Sequence, residues 1–342
     1  MEKIDFVLPW VDGDDVKWQV QKKQYAAAEL GMAHGIANSE ARYRDWGVLR
    51  YWFRAVERFA PWVNQVFFIT CGQKPEWLDE AHPKLRLVNH RDYIPAQYLP
   101  TFQSNTIELN LHRINDLSEH FVLFNDDTFL LRPVQPDFFF REGYPVLDCK
   151  LGIPTWLAYN HISRVMLNNS CVLRMSFDIE RLIWKYWLKY FNVKRLGFKY
   201  ALKNCIAFAI NKYILLGDFG HLPEPHLKST FEKIWAKQPQ ILDTISSYKF
   251  RHDDCVNQWL ACAWNMIEGH FFPVDGMQRG KSICVCDNIL DVVCDAIRNM
   301  RYSLICINDD ATNETFHKCA LEIAYAFHEI LPDKSQIEKF DI

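Results

Sequence analysis

The sequence predicts an α/β fold, a largely parallel sheet flanked by helices, with a helical insertion or subdomain in the second half. Short apolar runs alternate with helical patterns through the first 135 residues. That β-α-β-α-β order favours parallel strands joined by crossover helices, a Rossmann-like (GT-A-like) arrangement. Beyond residue 140 the strand signals give way to segments rich in aromatic, aliphatic and basic residues. A length of 342 residues suits one large domain or two smaller ones.

Taken in order, Ile4–Leu8 is a strand and Val16–Leu30 a helix ended near Gly31. Leu49, Trp52, Phe53, Val56 and Phe59 recur at the spacing of an amphipathic helix, closed by Pro61. Val66–Thr70 is a β-branched and aromatic strand stopped by Gly72, and Leu85–Val88 is another. Ser104 caps a helix running to about Arg113, and Phe121–Phe124 is a fourth strand. Ile179–Leu216, Lys228–Ala236, Cys255–Ile267, Ile289–Met300 and Phe316–Ile330 read as helical. The chain divides into 1–140, 141–220 and 221–342. In such sheets ligands bind beyond the carboxyl ends of the strands.

Composition narrows the function. Lys plus Arg is 39 against 42 for Asp plus Glu, with 49% hydrophobic and 24% charged residues. These values exclude a disordered chain, a collagen and a coiled coil. A net charge of −3 argues against a broad nucleic-acid face. Aromatics at 15% suit a sugar-handling or membrane-near protein, and equally a well-packed core. The N-terminus lacks the pattern of a signal peptide, and no apolar run reaches the ~18–20 residues of a membrane span. The 11 cysteines are scattered, and Cys284-Val-Cys286 lacks paired zinc spacing, so reduced thiols of a cytoplasmic protein are expected.

Five segments carry candidate chemistry. Asn125-Asp126-Asp127 follows an apolar strand, and adjacent carboxylates with oxygen ligands suit Mg²⁺ or Mn²⁺, although Asn-Asp also closes ordinary turns. Trp10-Val11-Asp12-Gly13-Asp14-Asp15 offers an aromatic face for a base or sugar, and equally an acidic turn capping the next helix. Arg42, Arg44, Arg50 and Arg54 could clamp a diphosphate or face solvent. His221 and His226, with Arg251 downstream, offer a proton acceptor and a stabiliser of phosphoryl charge, or simply loop residues. Asn308-Asp309-Asp310 repeats the pattern of apolar run then Asn-Asp-Asp, so two such ends brought together would build one metal site.

Together these segments resemble the Stealth family of sugar-phosphate transferases, which includes bacterial capsular polysaccharide phosphotransferases and the animal N-acetylglucosamine-1-phosphotransferase. The resemblance rests on four ordered blocks, about half the chain. The first is Ile4–Gly13. The second runs from Arg42-Tyr43-Arg44-Asp45 and Leu49-Arg50-Tyr51 through Ile69-Thr70-Cys71-Gly72-Gln73. It continues with Leu99–Ser104, Leu111-His112-Arg113-Ile114 and Phe124–Asp127. The third is His221 through Arg251 and the fourth Ile305–Asp309. Pro9, Val48, Asn64 and Cys71 depart locally from the family pattern.

The resemblance implies transfer of a sugar-1-phosphate from a nucleotide-diphosphate sugar, of UDP-N-acetylhexosamine type, to a glycan hydroxyl in capsule or surface polysaccharide synthesis. It implies Mg²⁺ or Mn²⁺ at Asp126, Asp127, Asp309 and Asn308. His221, Asp127 and Arg251 take the catalytic roles, with His221 and Asp127 as rival bases. Trp10, Asp12, Arg42, Arg44, Arg50, Gln73, Ser104, His112, Arg113 and His226 contact substrate. The first part would bind the nucleotide sugar, the last complete the catalytic site, and residues 141–220 meet the acceptor or a membrane. A metal-dependent glycosyltransferase releasing a nucleoside diphosphate and a non-catalytic glycan-binding protein stay open as rivals. From Arg181 to Lys212 there is no Asp or Glu, and Trp184, Trp187, Leu188 and Phe191 share a helical face. This pattern suits a helix pair covering the sheet, an acceptor-glycan surface, or peripheral contact with the inner face of the cytoplasmic membrane, where glycan acceptors are often lipid-linked.

Overall fold

The computed structural model describes residues 2–28, 40–152, 161–210, 215–216, 220–275 and 279–339. The eight strands that position the site are β1 (Ile4–Pro9), β2 (Val66–Thr70), β3 (Leu85–Asn89), β4 (His120–Leu123), β5 (Thr128–Leu130), β6 (Glu224–Leu227), β7 (Gly280–Val285) and β8 (Leu304–Asp309). The main sheet has the order β6-β4-β1-β2-β3. Its β4, β1, β2 and β3 run parallel, and β6 joins the β4 edge antiparallel. The four predicted strands therefore form, as the parallel part of one sheet.

Period-two alternation splits the side chains between two cores. Phe6, Leu8, Phe68, Val122 and Phe124 enter one cluster, while Val7, Phe67, Ile69, Phe121 and Leu123 enter the other. Burial on both faces explains why these strands read as continuous apolar runs. Asp5 is the exception inside β1. Its fully buried carboxylate accepts from Asn64 Nδ2, Gln65 N and Ser118 N, which ties the connections before β2 and before β4 to β1.

Ten helices are used below: α1 (Val16–Ala28), α2 (Leu49–Phe59), α3 (Ser104–Leu109), α4 (His161–Ser176), α5 (Phe198–Ile210), α6 (Lys228–Lys237), α7 (Pro239–Ser247), α8 (Trp259–Glu268), α9 (Leu290–Arg298) and α10 (Phe316–Ile330). Residues of α2, α9 and α10 fill the first core, and those of α6, α7 and α8 the second. A small second sheet, β7-β8-β5, continues from the end of β4, with β8 antiparallel to β5.

Three local expectations are corrected. The helix from Ser104 stops at Leu109 and a separate 3-10 turn covers Leu111–Arg113. Asn110 Nδ2 donates to Thr106 O at 2.8 Å, a side-chain bond that competes with helix continuation. Ser104 is not the cap, since Gln103 precedes the helix and makes no side-chain capping bond. The Ile179–Leu216 stretch is not one helix. It breaks into Ile179–Lys185, Trp187–Tyr190, Val193–Leu196 and α5. Gly197, at φ 78°, turns the chain before α5. Residues 211–214 of that stretch, and Leu30 and Gly31 at the end of the first predicted helix, lie outside the described residues. Among the described residues no helix is long and apolar enough to cross a membrane.

Candidate active site

A cavity of about 820 Å³ opens at the carboxyl ends of the parallel strands. Its walls come from the chain just after β1, β2 and β4, from α3, from the start of α4, and from His221 and Arg251. Sheet topology explains why His221 is there. Because β6 runs antiparallel to β4, with Glu224 opposite Leu123, the segment before β6 meets the segment after β4.

The turn after β4 is held by Thr128, whose hydroxyl accepts from Asn125 N at 3.0 Å and donates to Asn125 O at 2.7 Å. Asp126 faces the water of the cavity while sitting deep among its walls. That enclosure, then the charges of Asp127 and Asp45, push its carboxyl up to about 8. Asp127 lies 3.4 Å from His221 Nε2 through Oδ2, and its buried Oδ1 has no partner among the described residues. Asn125 Nδ2 also lies 3.2 Å from His221 Nε2. The two neighbours make opposite demands on one nitrogen: the amide donates to a neutral ring, and the carboxylate accepts from a protonated one. Burial acts to lower the proton affinity of His221, but the charge and hydrogen bond of Asp127, helped by Glu224, outweigh it and raise the pKa. His221 sits at a left-handed φ of 50°, a strained conformation for a residue with a side chain.

Opposite charge faces this corner. Arg251 Nη2 donates to Ser104 Oγ at 3.1 Å, and Arg42 lines the same cavity. Burial, then Arg251, lowers the pKa of Arg42, while Asp127 and Asp309 act to raise it. A guanidinium stays charged through such a shift. His161, at the start of α4, is brought down to about 4 by burial and the same two arginines, so it is neutral at pH 7. Trp10 borders the cavity with its Nε1 donating to Asp45 Oδ2 at 3.2 Å. Trp18, Tyr43 and Phe102 add an aromatic wall, braced by Tyr43 Oη donating to Phe102 O at 2.9 Å. Gly13 permits this wall, because a Cβ there would sit 1.9 Å from Tyr43 O.

Of the predicted residues, the cavity thus gathers Trp10, Arg42, Ser104, Asp126, Asp127, His221 and Arg251. The others are placed elsewhere. Asp309 pairs bidentately with Arg44, Nε to Oδ2 and Nη2 to Oδ1, both at 2.8 Å. Asn308 donates to Ser282 Oγ at 2.7 Å. The two Asn-Asp-Asp segments do come together, with Ile307 N donating to Asp127 O at 2.8 Å, but alternation along β8 turns Cys306 toward Asp127. The ligand atoms of Asp127, His221 and Cys306 all lie within 4.8 Å of one another. Burial, then Asp127, pushes the Cys306 thiol well above its usual range, so it is a neutral neighbour of the carboxylate.

Asp12 and Gln73 clasp each other through Asp12 N to Gln73 Oε1 and Gln73 Nε2 to Asp12 O, both at 2.9 Å. Asp15 supplies the helix cap, accepting from Lys17 N and Trp18 N. Arg50 stacks on Trp77, 5.5 Å from the ring. Arg54 pairs with Glu338. His112 and Arg113 pack on Trp235. His226 is fully buried against Phe121 and Phe231, and burial brings it down to about 3. None of these lines the cavity. Sequence reading missed Asp45, Glu108, Cys306 and Glu224. Asp45 follows two arginines, and Glu108, which lines the cavity, sits among polar residues, so neither stands out in sequence, while Cys306 needed the register of β8.

Residues 2–29 match the family model for Stealth protein CR1, conserved region 1, and residues 42–146 that for Stealth protein CR2, conserved region 2. A capsular polysaccharide phosphotransferase WcwK of Streptococcus pneumoniae is 38% identical over 340 residues, 99% of each chain. The chain belongs to the Stealth family. It is also 37% identical over 342 residues to the receptor polysaccharide phosphotransferase WefC of Streptococcus gordonii, 99% of each chain. The exopolysaccharide phosphotransferase cps2G of Lactiplantibacillus plantarum (strain ATCC BAA-793 / NCIMB 8826 / WCFS1) is 31% identical over 341 residues, 98% of this chain and 96% of that one. The two Stealth regions contain Trp10, Arg42, Ser104 and the Asn125–Asp127 turn, while His221 and Arg251 fall in the remainder that the full-length alignments span.

Proposed function

We propose that this chain moves a sugar-1-phosphate from a nucleotide-diphosphate sugar, of UDP-N-acetylhexosamine type, onto a glycan hydroxyl. The product is a phosphodiester and the leaving group a nucleoside monophosphate. The chain is a transferase, and its reaction is sugar-phosphate transfer in polysaccharide synthesis. The observation that carries the finer reading is the charge arrangement: the Asp127–His221 pair and Asp126 face Arg42 and Arg251 across one cavity. A diphosphate needs cations on its oxygens, and an attacking hydroxyl needs a place for its proton.

In this reading the acceptor oxygen attacks the phosphorus beside the sugar. The new P–O bond forms as the bond to the nucleotide phosphate breaks, in line with it. The hydroxyl proton passes to His221 Nε2, and Asp127, beside that same nitrogen, stabilises the imidazolium once it is protonated. Arg251, steadied by Ser104, and Arg42 hold phosphate oxygens. Trp10 and the Trp18–Tyr43 wall receive the base or the sugar.

The residues fit a divalent cation. Asp127 Oδ1 is buried without a partner among the described residues, and burial, then the two neighbouring acids, raise the proton affinity of Asp126, which a cation would counter. Asp126 and Asp127 would hold Mg²⁺ or Mn²⁺, hard ions that favour carboxylate oxygen over the neutral Cys306 sulfur. When bound, the ion neutralises diphosphate charge. Chromatography of the nucleotide released with donor and acceptor tests the reading: monophosphate is expected, and diphosphate as the sole product would overturn it in favour of glycosyl transfer.

A further inference from the structure

Helices Ile179–Lys185, Trp187–Tyr190, Val193–Leu196 and α5 lie outside the cavity and carry an unusual surface. Trp184, Trp187, Leu188, Phe198, Leu202 and Ile206 each leave between 45% and 67% of their surface in water. With Val193 they are seven of the fifteen exposed large apolar side chains among the described residues, and they include both exposed tryptophans. Isolated exposed apolar residues need no explanation, but a cluster does. Phe198, Leu202 and Ile206 recur every four residues, so they form one stripe along α5. Trp184 packs edge-on against Phe208 of α5 at 5.3 Å, and Phe208 meets Phe191 at 5.8 Å, which joins the stripe to the shorter helices.

Within this segment the charge has one sign, although Asp148 bonds Tyr200 at its inner edge. Arg181, Lys185, Lys194, Arg195, Lys199 and Lys203 are exposed, and no acid occurs from 181 to 210. Lys199 and Lys203 form a basic stripe next to the apolar one. The acids just before the segment are engaged: Asp178 caps the first helix by accepting from Arg181 N, and Glu180 pairs with Arg174. Lys189 does not join the exposed basic residues: it donates to Gly269 O and Phe271 O, both at 2.7 Å, and staples its helix to that loop.

We infer that this surface seats on an anionic lipid bilayer. Exposed tryptophan and aliphatic side chains enter the headgroup region, while the surrounding lysines and arginines meet anionic headgroups. A second copy fits less well, because a two-fold interface would press like charges together. A lipid-linked acceptor would then be met at the membrane surface, but the inference stands apart from the reaction assigned above.

Co-sedimentation of the full chain with vesicles tests it, using phosphatidylcholine alone and phosphatidylcholine containing phosphatidylglycerol. Binding to the anionic vesicles at low salt, weakened by added salt, is expected. The variant Lys185→Gln, Lys194→Gln, Arg195→Gln, Lys199→Gln, Lys203→Gln should lower the partition coefficient by at least about 100-fold. Trp184→Ser, Trp187→Ser, Phe198→Ser should abolish the binding that survives at high salt. Both variants change exposed residues only, so circular dichroism and turnover on a water-soluble acceptor should match the unmodified protein. No binding by the unmodified protein, or equal binding by the glutamine variant, would overturn the inference. So would a dimer seen by light scattering and lost in the serine variant without any vesicle binding.

Discussion

Replacing Asp309 by Asn separates a structural carboxylate from a metal-holding one. Asp309 and Arg44 keep 11% and 16% of their side-chain surface exposed and make two hydrogen bonds. Removing one partner of a buried ion pair commonly costs about 3–5 kcal/mol. Two features reduce that here. Burial raises the Asp309 carboxyl in spite of Arg44, so the pairing does not fully offset the carboxylate's own desolvation. Arg44 also retains Ala311 O at 2.8 Å, Asn313 Oδ1 at 3.0 Å and the face of Phe316 at 4.3 Å. We therefore expect Asp309→Asn to lower stability by about 2 kcal/mol. With an unfolding entropy of about 2.1 cal/mol/K per residue over 342 residues, Tm falls by about 3 °C. The Mg²⁺ concentration giving half-maximal turnover should not move. Asp127→Asn should behave in the opposite way: turnover falls by orders of magnitude and half-saturation moves up at least about tenfold, an effect of about 1.4 kcal/mol. Tm should change little, because the amide keeps the side chain's shape and relief of the neighbouring Asp126 offsets the lost charge contact with His221. Calorimetry and a metal titration on both variants decide. An Asp309→Asn protein with unchanged Tm and a tenfold higher Mg²⁺ requirement would refute the placement of Asp309 with Arg44.

His221→Ala should cut kcat by about 10²–10⁴-fold with donor binding largely kept, and His226→Asn should leave kcat near normal because His226 is sealed in the core; steady-state kinetics with donor binding measured by calorimetry checks both. Arg251→Lys should raise KM for the donor by about tenfold or more, since a single ammonium replaces a fork braced on Ser104; an unchanged KM would remove Arg251 from the phosphate site. Glu224 is 6% exposed, and its carboxyl is pushed up to about 8, by burial against the bond from Trp259 and the charge of His221. A carboxyl with a raised folded pKa contributes stability that is present below its unfolded value and lost as pH rises toward 8. Glu224→Gln should therefore match the native protein near pH 5 and exceed it by about 2 kcal/mol or more at pH 8; urea unfolding at the two pH values measures this, and equal stabilities throughout would contradict it.

The parallel part of the sheet was legible because β1, β2 and β4 are apolar runs buried on both faces, while Leu85, Leu87 and Val88 mark the half-exposed edge strand β3. The antiparallel edge strand was not. Glu224-Pro-His-Leu is four residues long with a proline, and neither length nor alternation distinguishes it from a loop. Without that strand, the neighbourhood of His221 and Asp127 could be read only from the resemblance. The Arg44–Asp309 pair joins positions 265 residues apart, and no local pattern announces it. Period two in β8 does distinguish Cys306 from Asp309, but only once the strand's register against β5 is known. The break of the 179–210 segment into short helices was hidden by its uniform composition, although Gly197 and the capping Asn192 and Asp178 mark the interruptions.

The most direct test of sugar-phosphate transfer follows the phosphorus itself. A nucleotide-diphosphate sugar labelled on the phosphate next to the sugar is incubated with acceptor glycan and Mg²⁺, and the label is located after separation. The account predicts label in the glycan, in a phosphodiester by phosphorus NMR, and unlabelled nucleoside monophosphate in solution. Label retained in a released nucleoside diphosphate, with unphosphorylated sugar on the glycan, would contradict it.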